Sequence, residues 1–231
     1  MEAPRLRLDR LRGALLDAFV LLSRGYPRKP VLDLVYAKWG LNRWERLAVY
    51  HCSHGVETIR RVRSMTRCYT RAWYSVDGYN VGVSLVCMDR GVPVLLCPDG
   101  YIRDVMGGWK PRPEELLDPL ADYIHSLEES LSSRAVVYLD ARVSRSGELA
   151  SMLRRRGVLA ATSRTTDKSV LLSAARRGYT PVTSDIVVLE RVGGCNHLTH
   201  YALLNGANVI DVPLILREGL EEVLELWIPR G

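Results

Sequence analysis

Trp73-Tyr74-Ser75-Val76-Asp77-Gly78-Tyr79-Asn80 is the stretch on which the fold turns. A short apolar run leads straight into an aspartate, and glycine, tyrosine and asparagine follow it. The arrangement returns twice downstream: Val136-Val137-Tyr138-Leu139 leads into Asp140, and Pro181-Val182-Thr183-Ser184 leads into Asp185. Short apolar runs of this kind are predicted strands at residues 73–76, 93–97, 135–139, 158–161, 181–183 and 209–212. Helical stretches lie between them. One is predicted to open at Asp118-Pro119, with aspartate as cap and proline at the first helical position, and to continue through Leu120, Ile124, Leu127 and Leu131. Others cover residues 147–156 and 167–177, the latter stopped by Gly178. Strand–helix alternation implies an α/β fold with a mostly parallel sheet covered by helices.

Upstream of residue 72 the pattern is helical. Leu15, Leu16, Phe19, Val20 and Leu22 share one helix face, and Pro30 suits the start of a second helix. Asn42 with Glu45 three residues on reads as a capping box opening a third. A fourth spans residues 56–65 and is crowded by Arg60, Arg61 and Arg63. The chain therefore divides into a basic helical part, residues 1–71, and an α/β part, residues 72–231.

Charge follows the same division. Residues 1–76 carry 15 Lys/Arg against 6 Asp/Glu, or +9, while residues 77–231 carry 17 against 20, or −3. That asymmetry suggests a polyanion-binding arm beside a cation-holding domain, although a solvated basic helix surface is equally compatible with the count. The composition, 47% apolar and 25% charged over 231 residues, is that of a globular protein. The apolar run at residues 15–22 is short and broken by Asp17, and it lacks a signal-peptide layout. No membrane span and a cytoplasmic location are expected. Five cysteines without a CxxC pair are expected to be reduced and mostly buried. His51, Cys52, His54, Cys195, His197 and His200 fit no common zinc spacing.

In open parallel sheets the site lies at the carboxyl ends of the strands. Asp77, Asp140 and Asp185 each follow a strand, and Asp167 opens a helix after Ser163-Arg164-Thr165-Thr166. Any one of them could simply cap a helix or end a strand in a turn. Together they would gather like charge that only a cation neutralises, and hard oxygen ligands select Mg²⁺ or Mn²⁺. Such an ion activates water at a phosphodiester.

Val76-Asp77-Gly78-Tyr79-Asn80 resembles the first-strand motif of NYN domains, a branch of the PIN-like nuclease superfamily. Thr166-Asp167 through Val170-Leu171, Ala174-Ala175, Gly178 and Thr183-Ser184-Asp185 resembles the second half of a PIN domain. The resemblance covers roughly residues 72–190. The chain as a whole is similar to a largely archaeal family of unknown function. The PIN/NYN resemblance implies a metal-dependent ribonuclease of PIN-like fold, with RNA as partner. Asp77, Asp140, Asp167 and Asp185 would then be the metal and catalytic carboxylates. Asn80 would orient Asp77 or touch substrate, and Ser184 would touch phosphate. Glu148 fits either a fifth acidic position or an ordinary exposed helix glutamate. Residues 99–112 stand out as an insertion. Arg103 there would grip substrate and Tyr101 or Trp109 would stack on a base, unless the segment is a plain surface hairpin. Arg142 and Arg145, beside Ser144 and Ser146 before a helix, suit phosphate, though Ser146 also suits a helix cap. A non-catalytic RNA- or ribosome-binding protein of the same fold is the alternative. A haloacid-dehalogenase-type or Toprim enzyme is disfavoured, because Asp77-Gly78-Tyr79 lacks the required Asp-x-Asp.

Overall fold

Four helices open the chain: α1 (Leu8–Ser23), α2 (Arg28–Trp39), α3 (Arg43–Cys52) and α4 (Val56–Met65). The computed structural model describes residues 4–165 and 167–227, without the side chains of Asp167 and residues 222–227. The capping box of α3 is present: the Asn42 side chain accepts from the Trp44 and Glu45 amides, and the Glu45 carboxylate accepts from the Asn42 amide. Glu45 also receives the Arg7 amide at 2.9 Å and the Arg7 Nε at 2.8 Å. Burial alone would raise this carboxyl, but the Arg7 and Asn42 bonds outweigh it and hold the pKa down to about 2. Glu45→Gln is therefore expected to cost about 1–3 kcal/mol at neutral pH. A group with a depressed folded pKa contributes fully above its unfolded value, here 4.5, and loses that contribution as pH falls toward about 2. Thermal unfolding followed by circular dichroism should show the gap between wild type and variant closing across that window. A gap independent of pH would contradict the assignment.

The α/β part follows as β1 (Trp73–Asp77), α5 (Gly78–Asp89), β2 (Val94–Leu96), β3 (Ile102–Asp104), α6 (Pro113–Ser130), β4 (Arg134–Asp140), α7 (Ser146–Arg155), β5 (Leu159–Ser163), α8 (Asp167–Ala175), β6 (Thr180–Val182), α9 (Ile186–Val192), α10 (His197–Leu204), β7 (Val209–Asp211) and α11 (Val212–Trp227). A four-stranded sheet runs in the order β5-β4-β1-β6 with every pairing parallel. A second sheet, β3-β2-β7, pairs β2 with β7 in parallel and β2 with β3 antiparallel. The α/β class with mostly parallel strands is as the sequence implies.

Tyr74, Val76, Ala135, Val137 and Leu139 alternate along β1 and β4 and share one core with Leu85 of α5, Leu120 and Ile124 of α6, and Leu149 of α7. Gly78 allows the start of α5 to lie on this sheet, since a Cβ there would meet Leu139 Cδ2 at 2.5 Å and Val137 Cγ1 at 2.8 Å. A second core joins Leu11, Leu15, Val31, Val35 and Val49 of the N-terminal helices to Leu95, Cys97 and Val105 around β2 and β3, and to Val212 and Leu216 of α11. The division at residue 72 is thus a change of secondary-structure type, and a hydrophobic core crosses it.

Three expectations are corrected. First, the cysteines are not all reduced. Cys52 is bonded to Cys97 and Cys68 to Cys195, and Cys87 is free and buried. The partners stand 45 and 127 residues apart in sequence, yet their Cα atoms lie 4.8 Å and 4.7 Å apart. Only the tertiary fold brings them within bonding geometry. Second, α6 opens at Pro113 rather than at Asp118-Pro119, so Pro119 sits inside the helix. Both prolines carry an N-terminal signal, and the earlier one prevails because the Glu115 carboxylate accepts the Arg112 amide at 2.7 Å. Third, within residues 99–112 only Ile102–Asp104 forms a hairpin with β2, in the register Leu95↔Arg103, and residues 101–103 are buried while Gly107, Gly108, Lys110 and Arg112 are exposed. Tyr101 is 3% exposed, packs with Val62 and Leu189, and its hydroxyl lies 3.2 Å from that of Thr66. Its ring is therefore not placed to stack on a base.

Candidate functional site

Asp77 ends β1 and caps α5, its Oδ1 accepting the Asn80 amide at 3.3 Å. The neighbouring parallel strand β6 ends one residue before Thr183, so Thr183-Ser184-Asp185 emerges beside Asp77 at the same edge. The Thr183 hydroxyl donates to Asp77 Oδ2 at 3.0 Å and accepts the Asp185 amide at 3.1 Å. One hydroxyl therefore ties the two aspartate segments together. Asn80, one helical turn into α5, accepts on Oδ1 from the Ser184 amide at 2.8 Å and from the Ser184 hydroxyl at 3.0 Å. The backbone donor fixes the orientation of the Asn80 amide. Asp185 caps α9 through its Oδ1 and the Val187 amide at 2.8 Å, while Lys168 of α8 meets its Oδ2 at 3.0 Å.

A cleft of about 680 Å³ opens at this edge. Asn80, Ser184, Asp185 and Lys168 form one wall, and Arg28, His51, His54 and Thr58 of the N-terminal helices form the other. Arginine can only donate, so Arg28 Nη1 at 3.0 Å makes His54 Nδ1 an acceptor and leaves Nε2 to donate to the His51 carbonyl at 3.1 Å. Burial, then the nearby charges of Arg103 and Arg28, push the His54 pKa down to about 3 and that of His51 to about 4. Both imidazoles are neutral at pH 7. Thr58 of α4 donates to Glu190 of α9 at 2.9 Å and closes the far end.

Arg103 sits beneath the edge. It is 3% exposed, holds Asp99 through Nη1 at 2.8 Å and Nη2 at 2.6 Å, and donates Nε to the Ser184 carbonyl at 3.0 Å. Burial opposes the ionised Asp99, yet the Arg103 charge and its bonds keep that carboxyl below its usual range. The guanidinium is thus spent on anchoring the Thr183-Ser184-Asp185 turn.

Asp140 stands on β4, two residues beyond the partner of Asp77, so it shares the carboxyl edge. Arg142 grips both of its oxygens, with Nε at 2.9 and 3.0 Å and Nη2 at 2.6 Å, and hydrogen bonding from Arg142 is the main reason its pKa is lowered. Neither Asp140 nor the buried Asp77 lines the cleft; among the described residues Asp185 is the aspartate that does. Arg145 caps α7 in the left-handed region and pairs with Glu114 and Glu148, which places both Arg145 and Glu148 on the α6–α7 surface. Asp167 opens α8, and its side chain lies outside the described residues. Among the described residues no group of three His, Cys, Asp or Glu side chains gathers around one point. Arg28, His51, His54 and Lys168 were not singled out as site residues from sequence. A histidine pair three residues apart at a helix end was the available signal, but only the packing of the N-terminal helices on β2 and α9 gives it meaning.

Residues 70–201 match the family described as Domain of unknown function (DUF5616), more than half of the chain. The chain belongs to this family. The DUF5616 span begins just before β1 and ends in α10, and it contains Asp77, Asn80, Ser184 and Asp185. A second match, Protein of unknown function (DUF434), covers residues 10–64 and supplies Arg28, His51 and His54. A Methanocaldococcus jannaschii relative named Uncharacterized protein MJ0935 is 30% identical over 147 residues, spanning 61% of this chain and 69% of its own length. This agrees with the similarity to an archaeal family of unknown function. No solved structure matches the chain. Among the described residues no helix is long and apolar enough to cross a membrane.

Proposed function

We propose that this DUF5616 protein is a metal-dependent ribonuclease with a PIN/NYN-like fold, acting at the cleft beside Asp77 and Asp185. The observation that carries the reading is the joining of these two aspartates, on the ends of adjacent parallel strands, through one Thr183 hydroxyl. The parallel β5-β4-β1-β6 order, with carboxylates at the carboxyl edge, supports it.

The donor set fits Mg²⁺ or Mn²⁺. It consists of carboxylate oxygens, and the Lys168 ammonium already stands as a cation against Asp185 Oδ2. Asp77 and Asp185 would hold the ion, with Asp167 as third ligand; Asp140, on the same edge, would have to give up Arg142 to join them. When bound, the ion supplies Lewis acidity and charge neutralisation at a phosphodiester. Asn80 and Thr183 fix the two carboxylate segments in place. Ser184, its hydroxyl aimed at Asn80, borders the path of the substrate phosphate, and Arg28 and Lys168 bring positive charge to the cleft wall. The +9 charge of residues 1–76 suits RNA, and cytoplasmic RNA is the proposed partner. Arg142 and Arg145 lie outside the cleft, paired with Asp140 and with Glu114 and Glu148, and would meet phosphate only on a strand that extends beyond it. Arg103 acts as a positioning residue beneath Ser184 rather than as a substrate grip.

A second reading is a non-catalytic RNA- or ribosome-binding protein. It is favoured by Asp140, whose oxygens are both engaged by Arg142. Titration with Mn²⁺ followed by electron paramagnetic resonance separates the two. The ribonuclease reading expects saturable Mn²⁺ binding that weakens at least about tenfold in Asp185→Asn. Absence of saturable binding by the wild type would leave the binding-module reading.

A further inference from the structure

A second groove, of about 960 Å³, lies on the other side of Tyr50. Tyr36, Arg43, Arg46, Tyr50, Arg90 and Trp109 form its walls. The 107–108 turn also lines it and approaches α3 closely: a Cβ on Gly107 would meet Leu47 Cδ2 at 2.6 Å. Tyr50 borders both this groove and the cleft at Asp185, and half of it is exposed, so the two concavities meet at one aromatic ring.

Guanidinium groups and aromatic rings alternate along the walls. The Arg46 Cζ lies 5.6 Å from the Tyr36 ring centre, Arg90 lies 5.3 Å from Trp109, and Arg28 lies 4.9 Å from Tyr50 at the junction. Arg43 stacks on Trp44 at 4.6 Å. Glu115 is the carboxylate in the lining, and it is neutralised by Arg90 at 2.6 Å and Arg112 at 3.5 Å. Among the described residues no carboxylate pairs with Arg43 or Arg46, and Arg46 spends its Nε on the Leu41 carbonyl. The groove is therefore cationic, and its flat rings are interleaved with its charges. A ligand complementary to it carries repeated negative charge and repeated planar faces. An unpaired nucleic-acid strand has both, because every base offers a π-face and every linkage a phosphate.

We propose that this groove binds a single strand of RNA and passes it over Tyr50 into the cleft at Asp185. The proposal rests on the ribonuclease reading for the identity of the strand. It adds a binding track to which the N-terminal helices contribute Tyr36, Arg43, Arg46 and Tyr50. It also gives those helices a role that net charge alone does not: they hold the substrate in line with the site rather than merely near it.

The test uses the full chain in EDTA, with fluorescence anisotropy of labelled single-stranded RNAs of about four and about twelve nucleotides. The longer strand is expected to bind at least about tenfold more tightly than the shorter. Arg43→Glu with Arg46→Glu should remove most of that advantage and lower the salt dependence of log K by about two counterions. Tyr50→Leu should weaken the longer strand by roughly 5- to 150-fold through lost stacking. Thermal unfolding checks each variant, and Arg43→Gln with Arg46→Gln replaces the reversal if that destabilises the fold. Wild-type affinity for the longer strand in the folded variants overturns the groove proposal, as would equal affinity for the two lengths. If the wild type still binds Mn²⁺ and cuts RNA in that case, the ribonuclease reading survives alone. If the wild type binds neither metal nor RNA, both readings fall, and a protein partner becomes the occupant to test.

Discussion

Asp77→Asn and Asp185→Asn each reduce Mn²⁺- or Mg²⁺-dependent RNA cleavage by about a thousandfold or more, while the protein stays folded. Asparagine keeps the size of aspartate and one acceptor oxygen, so the Thr183 hydroxyl at position 77 or the Val187 amide at position 185 keeps its partner, while the Asn80 amide or the Lys168 ammonium loses one. What is lost is a charged metal ligand, and with it stabilisation made chiefly in the transition state. Turnover should fall far more than RNA affinity. The discriminating quantity is the single-turnover rate at saturating RNA. Removing one negative charge from the edge should leave the unfolding temperature in metal-free buffer unchanged or raised. Variants that cut at the wild-type rate would show that these carboxylates do not hold the ion.

Arg103→Met has the largest expected effect on stability, about 3–5 kcal/mol, because it leaves the Asp99 carboxylate buried without its partner. It also removes the donor to the Ser184 carbonyl, so the Thr183-Ser184-Asp185 turn loses its anchor. Denaturant unfolding measures the first consequence. The double variant Asp99→Asn with Arg103→Met should be less destabilised than the sum of the two single changes, since the residues act as one unit. A loss below about 1 kcal/mol for Arg103→Met would mean that water reaches the pair and that Arg103 is available to substrate.

The sequence made the sheet legible where strand and aspartate were contiguous. Val76-Asp77 and Leu139-Asp140 each announced a strand end and Ser184-Asp185 the turn just beyond one, and the parallel edge follows from placing those strands side by side. The α3 capping box was legible for the same reason, since Asn42 and Glu45 act within one turn. What stayed hidden depends on contacts distant in sequence. Arg103 read as an exposed cation beside glycines, whereas the register Leu95↔Arg103 turns it inward toward Asp99. Arg145 and Glu148 read as separate candidates, and three-residue spacing on α7 pairs them. The disulfides join cysteines that no local pattern relates. The histidine wall of the cleft exists only because the second core packs the N-terminal helices against the α/β part.

The measurement that tests the central claim most directly is single-turnover cleavage of a labelled single-stranded RNA by the purified wild-type chain, in Mn²⁺, in Mg²⁺ and in EDTA. The account predicts cleavage with either ion, none in EDTA, and recovery when metal is restored. No cleavage under any divalent metal, or equal cleavage in EDTA, would contradict it.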